Sequence, residues 1–191
     1  MTGVVGLVLA AGAGRRFGGP KALAELDGER LVDRAVRTVH EGGVDRVYVV
    51  SGAVALQVAG AVVVDNPEWD SGMGSSLVAG LAALPEDAVA ALVVLVDQPG
   101  LTAAAVARVV ARADEAGTDT VAVATYDGQR RHPVALGRNH WPEVTRLASG
   151  DVGARPFLDT HPGPVAEVDC TDVADAADVD SPDDLESFRP G

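Results

Sequence analysis

The sequence predicts a single α/β domain, three-layered and Rossmann-like, with a mostly parallel sheet covered by helices on both faces. Three observations carry this. Runs of aliphatic, β-branched residues alternate with stretches of helical period along the chain, the pattern that builds parallel sheets from strand–helix–strand units. The run Ala90–Val96 (AALVVLV) shows no polar alternation, as a central strand covered on both faces requires. And 191 residues, 47% of them hydrophobic, suit one core rather than two.

Val4 to Ala10 is a glycine-bounded apolar run and reads as the first strand. Val32, Ala35, Val36 and Val39 fall on one helix face, closed by Gly42-Gly43. Asp45–Ser51 and Ala61–Asp65 are the next strands, with one helical turn expected over Val54–Gly60 between them. A turn-rich stretch from Asn66 to Ser76 leads into a helix carrying Leu77, Leu81 and Leu84. Asp97-Gln98-Pro99 ends the central strand, and Thr102 can cap a helix whose face is Val106, Val109, Val110 and Ala113. Thr120–Thr125 and a short His132–Leu136 are expected strands, separated by a loop containing Asp127-Gly128. Pro142 opens a helix with Val144 and Leu147, and Gly150-Asp151 restarts one running through Leu158. Val165–Cys170 is a late strand, and Ser181-Pro182-Asp183-Asp184 caps the last helix, with proline at its first position.

The chemistry concentrates between the first strand and Lys21. Gly12, Gly14, Gly18 and Gly19 let backbone N–H groups close on a phosphate without a Cβ in the way, and Arg15, Arg16 and Lys21 supply positive charge. Lys21 is the only lysine in a chain that otherwise uses arginine. A compact ammonium and a planar guanidinium fork do different work. Two familiar phosphate loops are excluded. Pro20-Lys21-Ala22 lacks the hydroxyl of a Walker A loop, and Gly12-x-Gly14 lacks the third glycine of a dinucleotide fingerprint, Phe17 standing in its place. Ligands of open α/β sheets gather at the carboxyl ends of strands, where both this loop and Asp97 lie. Asp97 there suits Mg²⁺, which takes hard oxygen donors and shares them with substrate phosphates. Ser75 and Ser76, at a helix start with free N–H groups, can hold a phosphate or a base edge or simply cap the helix.

Leu9-Ala10-Ala11-Gly12 followed by Arg15-Arg16-Phe17-Gly18-Gly19-Pro20-Lys21 resembles the signature of the nucleotidyltransferases that finish molybdenum cofactor. This family has a guanylyl-transferring and a cytidylyl-transferring branch, both acting on molybdopterin. The resemblance extends to Ser181-Pro182-Asp183, and so spans nearly the whole chain. It implies the nucleotidyltransferase (GT-A-like) form of the fold, with Leu9, Ala10, Ala11, Gly12 and Lys21 around a nucleoside triphosphate. Lys21 with Arg15 or Arg16 would steady the β,γ-phosphates, and Asp97 would hold Mg²⁺. Asp180 would be a second metal or nucleotide contact, although an acidic residue ahead of a helix is favourable through the dipole alone. Asp65 or Asn66, with Ser76 and Gly80, would lie beside the nucleoside. Arg131, His132, Asp151 and Arg155 would meet the second substrate, in segments similar to the Arg-Gly-His-Pro-Val and Gly-Asp-x-Gly-Ala-Arg patterns of the cytidylyl branch; here Arg131 replaces the glycine. Leu-Ala-Ala-Gly, where the guanylyl branch tends to show Leu-Ala-Gly-Gly, together with His132-Pro133-Val134, favours CTP over GTP; losing the Cβ at residue 11 would make room for a purine.

The implied partners are a nucleoside triphosphate and a molybdopterin-type acceptor, with a molybdoenzyme or its chaperone as a further candidate. A related enzyme acting on a sugar phosphate, or a delivery module without turnover, would carry the same loop. A net charge of −13 argues against a nucleic-acid groove or an anionic membrane surface. One cysteine permits no intrachain disulfide, no run reaches the roughly 20 apolar residues of a membrane helix, and no secretion signal is recognisable. The expected compartment is the cytoplasm.

Overall fold

The computed structural model describes residues 3–189. Nine strands and six α-helices follow in the order β1 (Val4–Leu9), β2 (Glu25–Leu26), β3 (Glu29–Arg30), α1 (Leu31–Glu41), β4 (Val47–Ser51), β5 (Val62–Asp65), α2 (Met73–Ala83), β6 (Ala90–Leu95), α3 (Ala103–Ala116), β7 (Val121–Tyr126), β8 (Gln129–Gly137), α4 (Trp141–Leu147), α5 (Arg155–Thr160), β9 (Ala166–Asp169) and α6 (Pro182–Glu186). Seven strands form one sheet in the order β5-β4-β1-β6-β8-β7-β9, while β2 and β3 pair separately. The apolar run beginning at Ala90 is therefore the middle strand of the sheet. Helices α1 and α3 cover one face through Val32, Val36, Val106 and Val109. The other face carries α2, α4 and α5 through Leu77, Leu81, Trp141, Val144 and Phe157. The three layers expected from the alternating pattern are present.

Within the seven-stranded sheet only β8 runs against its neighbours; the β1–β4, β1–β6, β4–β5 and β7–β9 pairs are parallel. It follows β7 through the two-residue turn Asp127-Gly128, both with positive φ (49° and 75°), the backbone that a tight hairpin requires. Val93 pairs with Val134 and Ala90 with Gly137, so the beginning of β8 projects past the carboxyl end of β6. That antiparallel strand carries Arg131 and His132 to the end of the sheet where β1 and β6 release the glycine loop and Asp97. The β7–β8 register shifts between Val123 and Ala124, leaving His132 and Pro133 unmatched.

Three local expectations are corrected. Val54–Gly60 is not helical: it runs as bends and a turn, with Leu56 and Val58 both buried against the α1–α3 face, a two-residue repeat that an extended segment presents and a helix does not. Strand β8 is longer than His132–Leu136, because its polar first half is exposed beyond β6. Gly150 to Leu158 is not one helix. A 3₁₀ turn at Gly150–Val152 stops at Gly153, whose φ of +52° breaks the helical path before α5. The caps hold. Thr102 Oγ1 accepts from the Ala105 amide, and Ser181 and Asp184 form a reciprocal capping box on α6.

Candidate active site

The loop after β1 turns on itself, with the Gly18 and Gly19 amides donating to the Gly14 carbonyl at 2.9 and 3.1 Å. Gly14 has φ +59°, and a Cβ there would sit 1.8 Å from the Gly19 carbonyl oxygen; no other residue fits. A Cβ built on Gly12, Gly18 or Gly19 would meet nothing within 4 Å, so the loop leaves open space along its outer edge.

At the foot of the loop the Lys21 ammonium donates to Asp97 Oδ2 at 2.9 Å and to Asp180 Oδ1 at 3.1 Å. Arg16 Nη2 reaches the same Asp180 oxygen at 3.5 Å. Residues 76 and 159 positions away from Lys21 thus meet at a single cation. The Lys21 side chain is 16% exposed and that of Asp97 24%, whereas Arg16 is 84% exposed. Burial opposes the charge on Lys21, but hydrogen bonds and attraction from Asp97 and then Asp180 outweigh it and raise its pKa. The ammonium stays protonated throughout the physiological range. Arg15 is exposed and Arg16 is tethered only at its tip, leaving both guanidinium groups at the surface of the loop.

Arg131, His132, Asp151 and Arg155 line one cleft of about 300 Å³. Its floor is apolar, built from Leu9, Leu77, Val93, Leu95, Val123 and Val134. Charge is confined to the rim. Burial strips water from the His132 ring and holds its pKa down at about 4; Asp97 pulls the other way, and the cations of Arg131 and Arg155 add to the depression. His132 is therefore a neutral hydrogen-bonding group in this cleft. Arg130 also lines it, but its guanidinium is drawn toward Glu167 at 2.8 Å.

Other expected contacts land elsewhere. Asp65 ends β5 exposed. Asn66 is buried, its Nδ2 donating to Ser75 Oγ at 2.9 Å and Ser76 Oγ at 3.1 Å while its Oδ1 accepts from the Glu68 amide. Ser75 and Ser76 are thereby spent on the turn ahead of α2. Gly80, expected at the ribose or base, is a packing glycine: a Cβ there would come within 2.6 Å of Leu7 and 3.0 Å of Val50, which is how closely α2 lies on the sheet. The start of α2 is likewise not open for a phosphate. Cβ atoms on Gly72 and Gly74 would strike Gly150 at 2.4 Å and Ser149 at 2.6 Å, because the 149–151 segment lies directly on this helix end. Leu9 faces the cleft, while Ala10 is buried against the α1–α3 side. Ala11 is buried with its Cβ close to Gly52.

Two participants escaped the sequence reading. Gln98 is buried and donates from Nε2 to Asp178 Oδ1 at 2.7 Å, and both line the cleft. Burial raises the Asp178 carboxyl; the Gln98 bond opposes this and Asp97 reinforces it. Asp178 lies two residues before Asp180, the one sequence cue to it.

A cation loop joined to two carboxylates thus lies beside a cleft with a charged rim, at the carboxyl end of the strands of an α/β sheet. The chain belongs to the family of MobA-like NTP transferase domains, whose sequence model matches residues 6–165. It is a nucleotidyltransferase of that family. It is 40% identical over 190 residues to the nicotine blue oxidoreductase of Paenarthrobacter nicotinovorans, covering 93% of this chain and 92% of that one. It is also 36% identical over 106 residues to a probable molybdenum cofactor guanylyltransferase of Opitutus terrae, covering 53% and 51%. The structure resembles the homologue of Mycobacterium tuberculosis Rv0371c from Mycobacterium sp. strain JC1, with a TM-score of 0.82 at 29% identity over 97% of this chain and 94% of that one. A manganese complex of Rv0371c itself matches with a TM-score of 0.74 at 25% identity, over 98% of both chains.

Proposed function

We propose that the protein transfers CMP from CTP to the terminal phosphate of a molybdopterin. The observation that carries this is the Lys21 ammonium shared by Asp97 and Asp180, at the edge of a cleft with an apolar floor and a rim of arginines and aspartates. An oxygen of the acceptor phosphate forms a bond to the α-phosphorus. The bond from that phosphorus to the α,β-bridging oxygen breaks, and pyrophosphate leaves with the electron pair. Alignment and charge stabilisation are what such a reaction asks of a protein.

Lys21, fully charged, would hold the β,γ-phosphates together with Arg15 or Arg16. Arg131 and Arg155 would draw the acceptor's phosphate, and the apolar floor would seat a flat ring. That floor favours a heterocycle over a sugar phosphate, whose hydroxyls would go unpaired there. His132, uncharged, would bond the acceptor without repelling or attracting its phosphate. Asp97 and Asp180 fit a divalent ion, since their oxygens already converge on one cation. Among the described residues no three His, Cys, Asp or Glu side chains group around a point, which suits Mg²⁺, held by one or two carboxylates and the substrate's own phosphates. Such an ion would neutralise charge on the phosphates. CTP rather than GTP rests on the Leu9–Gly12 and His132–Val134 segments.

The purified protein with Mg²⁺ should be thermally stabilised by CTP and release pyrophosphate when CTP and molybdopterin are added together. Stabilisation by GTP with indifference to CTP would overturn the base assignment, and pyrophosphate release with a sugar phosphate but not molybdopterin would overturn the acceptor. A second reading is favoured by the 40% identity to a nicotine blue oxidoreductase over nearly the whole chain. In that case the same cleft would take a nicotine blue-type substrate, and turnover of that substrate in the absence of any nucleoside triphosphate would favour this reading over nucleotidyl transfer.

A further inference from the structure

A third, smaller apolar cluster lies next to the polar site and touches the α1–α3 core through Val96. Leu26, Val179 and Leu185 are buried in it, with Phe17, Val96 and Phe188 packed alongside. Three of these residues are immediate chain neighbours of the site's charged groups: Phe17 follows Arg16, Val96 precedes Asp97, and Val179 precedes Asp180. Phe17 is the one aromatic side chain in the 12–20 loop, which is otherwise glycine, arginine, alanine and proline. The cluster also holds α6, whose capping box fixes the Asp180 and Ser181 amides on Asp184 Oδ2 at 3.0 and 2.7 Å. The Val179 amide donates to the Asp97 carbonyl at 2.9 Å, tying the two carboxylate-bearing segments together. Residues 178–188 lie beyond the part of the chain that the family model matches.

We propose that this cluster is the positioning element of the nucleotide site, with Phe17 pinning the glycine-rich cation loop and Leu185 and Phe188 docking the C-terminal segment so that Lys21 meets Asp97 and Asp180 together. The proposal rests on the nucleotidyltransferase reading for its consequence in turnover, but not for its structural content. A glycine-rich loop has little else to fix it: among the described residues, the stretch from Gly12 to Gly19 is held by the two amide bonds to the Gly14 carbonyl and by the Arg16 bond to Asp180. Half-burying one aromatic ring at its midpoint supplies an anchor that a polar residue could not. Removing that anchor frees the loop without opening either large core, because Phe17 packs in neither.

The sole lysine makes the test direct, since an amine-acylating reagent marks Lys21 alone among side-chain amines. Acylation of Lys21, followed by peptide mass spectrometry, should be slow in the native protein, where the ammonium is charged, mostly buried and held by two carboxylates. Phe17→Ala and Phe188→Ala should each speed it by about tenfold, with the far-ultraviolet spectrum unchanged, while Phe17→Leu stays within about twofold of the native rate. In turnover, Phe17→Ala should raise the KM for nucleotide more than it lowers kcat, again with rescue by leucine. Acylation at the native rate in both alanine variants would overturn the proposal, whatever substrate the enzyme uses. Faster acylation in a protein that never releases pyrophosphate would leave the positioning element standing and sink the transferase chemistry instead. Should Phe17→Ala fail to fold, Phe188→Ala carries the same readout from the other side of the cluster.

Discussion

Replacing His132 by glutamine should remove a pH dependence of stability that the half-buried, desolvated ring imposes. In the folded protein its pKa is held down at about 4, against 6.5 for a solvated imidazole. Above pH 6.5 the ring is neutral in both folded and unfolded chains, and the folded state carries no penalty. As the pH falls through 6.5 toward 4, the unfolded chain takes up a proton that the folded one refuses, so stability drops. Linkage puts the loss from this one group at about 2 kcal/mol between pH 7 and pH 5, approaching about 3 kcal/mol at pH 4. For a chain of this size 2 kcal/mol is a fall of roughly 4–8 °C in Tm. The assay is thermal or urea unfolding of native protein and His132→Gln at pH 7 and pH 5, comparing the drop in each. The carboxylates that titrate in this range are common to both proteins and cancel, so the native drop should exceed the variant's by about 2 kcal/mol. Equal drops would mean that the ring is solvated and free to charge, and the account of a dry, neutral histidine in the acceptor cleft would be wrong.

Lys21→Ala should lower pyrophosphate release by at least about 10²-fold, the scale of losing one preorganised charge at a developing phosphate, while Tm stays within a few degrees in steady-state and melting assays. An unfolded variant would assign Lys21 to structure instead. Gly80→Ala should destabilise by about 1–3 kcal/mol, because its Cβ would strike Leu7, yet leave the KM for nucleotide unchanged in the folded fraction. A raised KM at native stability would return Gly80 to the nucleoside. Thr102→Ala should cost about 1 kcal/mol in urea unfolding, through loss of the α3 cap and of the bond to the Val173 carbonyl, without altering turnover.

Much of the fold was legible because its strands announce themselves in composition. Val4–Leu9 and Ala90–Leu95 are continuous aliphatic runs, and only burial on two faces makes sense of them. The first half of β8 was not legible: Gln129, Arg130 and Arg131 pair with β7 but extend past β6 and are exposed, where no apolar alternation is demanded. Val54–Gly60 misled because alternate buried residues over a few positions resemble a helical turn as easily as an extended path. At the site, Lys21, Asp97 and Asp180 were readable from chemistry at the ends of strands and from family resemblance, and they do meet. The glycines were not separable by inspection. Gly12 and Gly18 leave open space, Gly72, Gly74 and Gly80 let backbone or helix pack closely, and a sequence writes both needs with the same letter. Asp178 and the Phe17 cluster stayed hidden because their partners, Gln98 and Leu185, are far away in the chain.

A crystal structure of the protein soaked with CTP and a divalent cation decides whether the Lys21 loop is a triphosphate site. The triphosphate should lie along the Gly12–Gly19 loop, with the Lys21 ammonium on its phosphates and Asp97 and Asp180 facing the metal. A nucleotide bound elsewhere, or bound while the Lys21 contacts to Asp97 and Asp180 remain as they are, would contradict it.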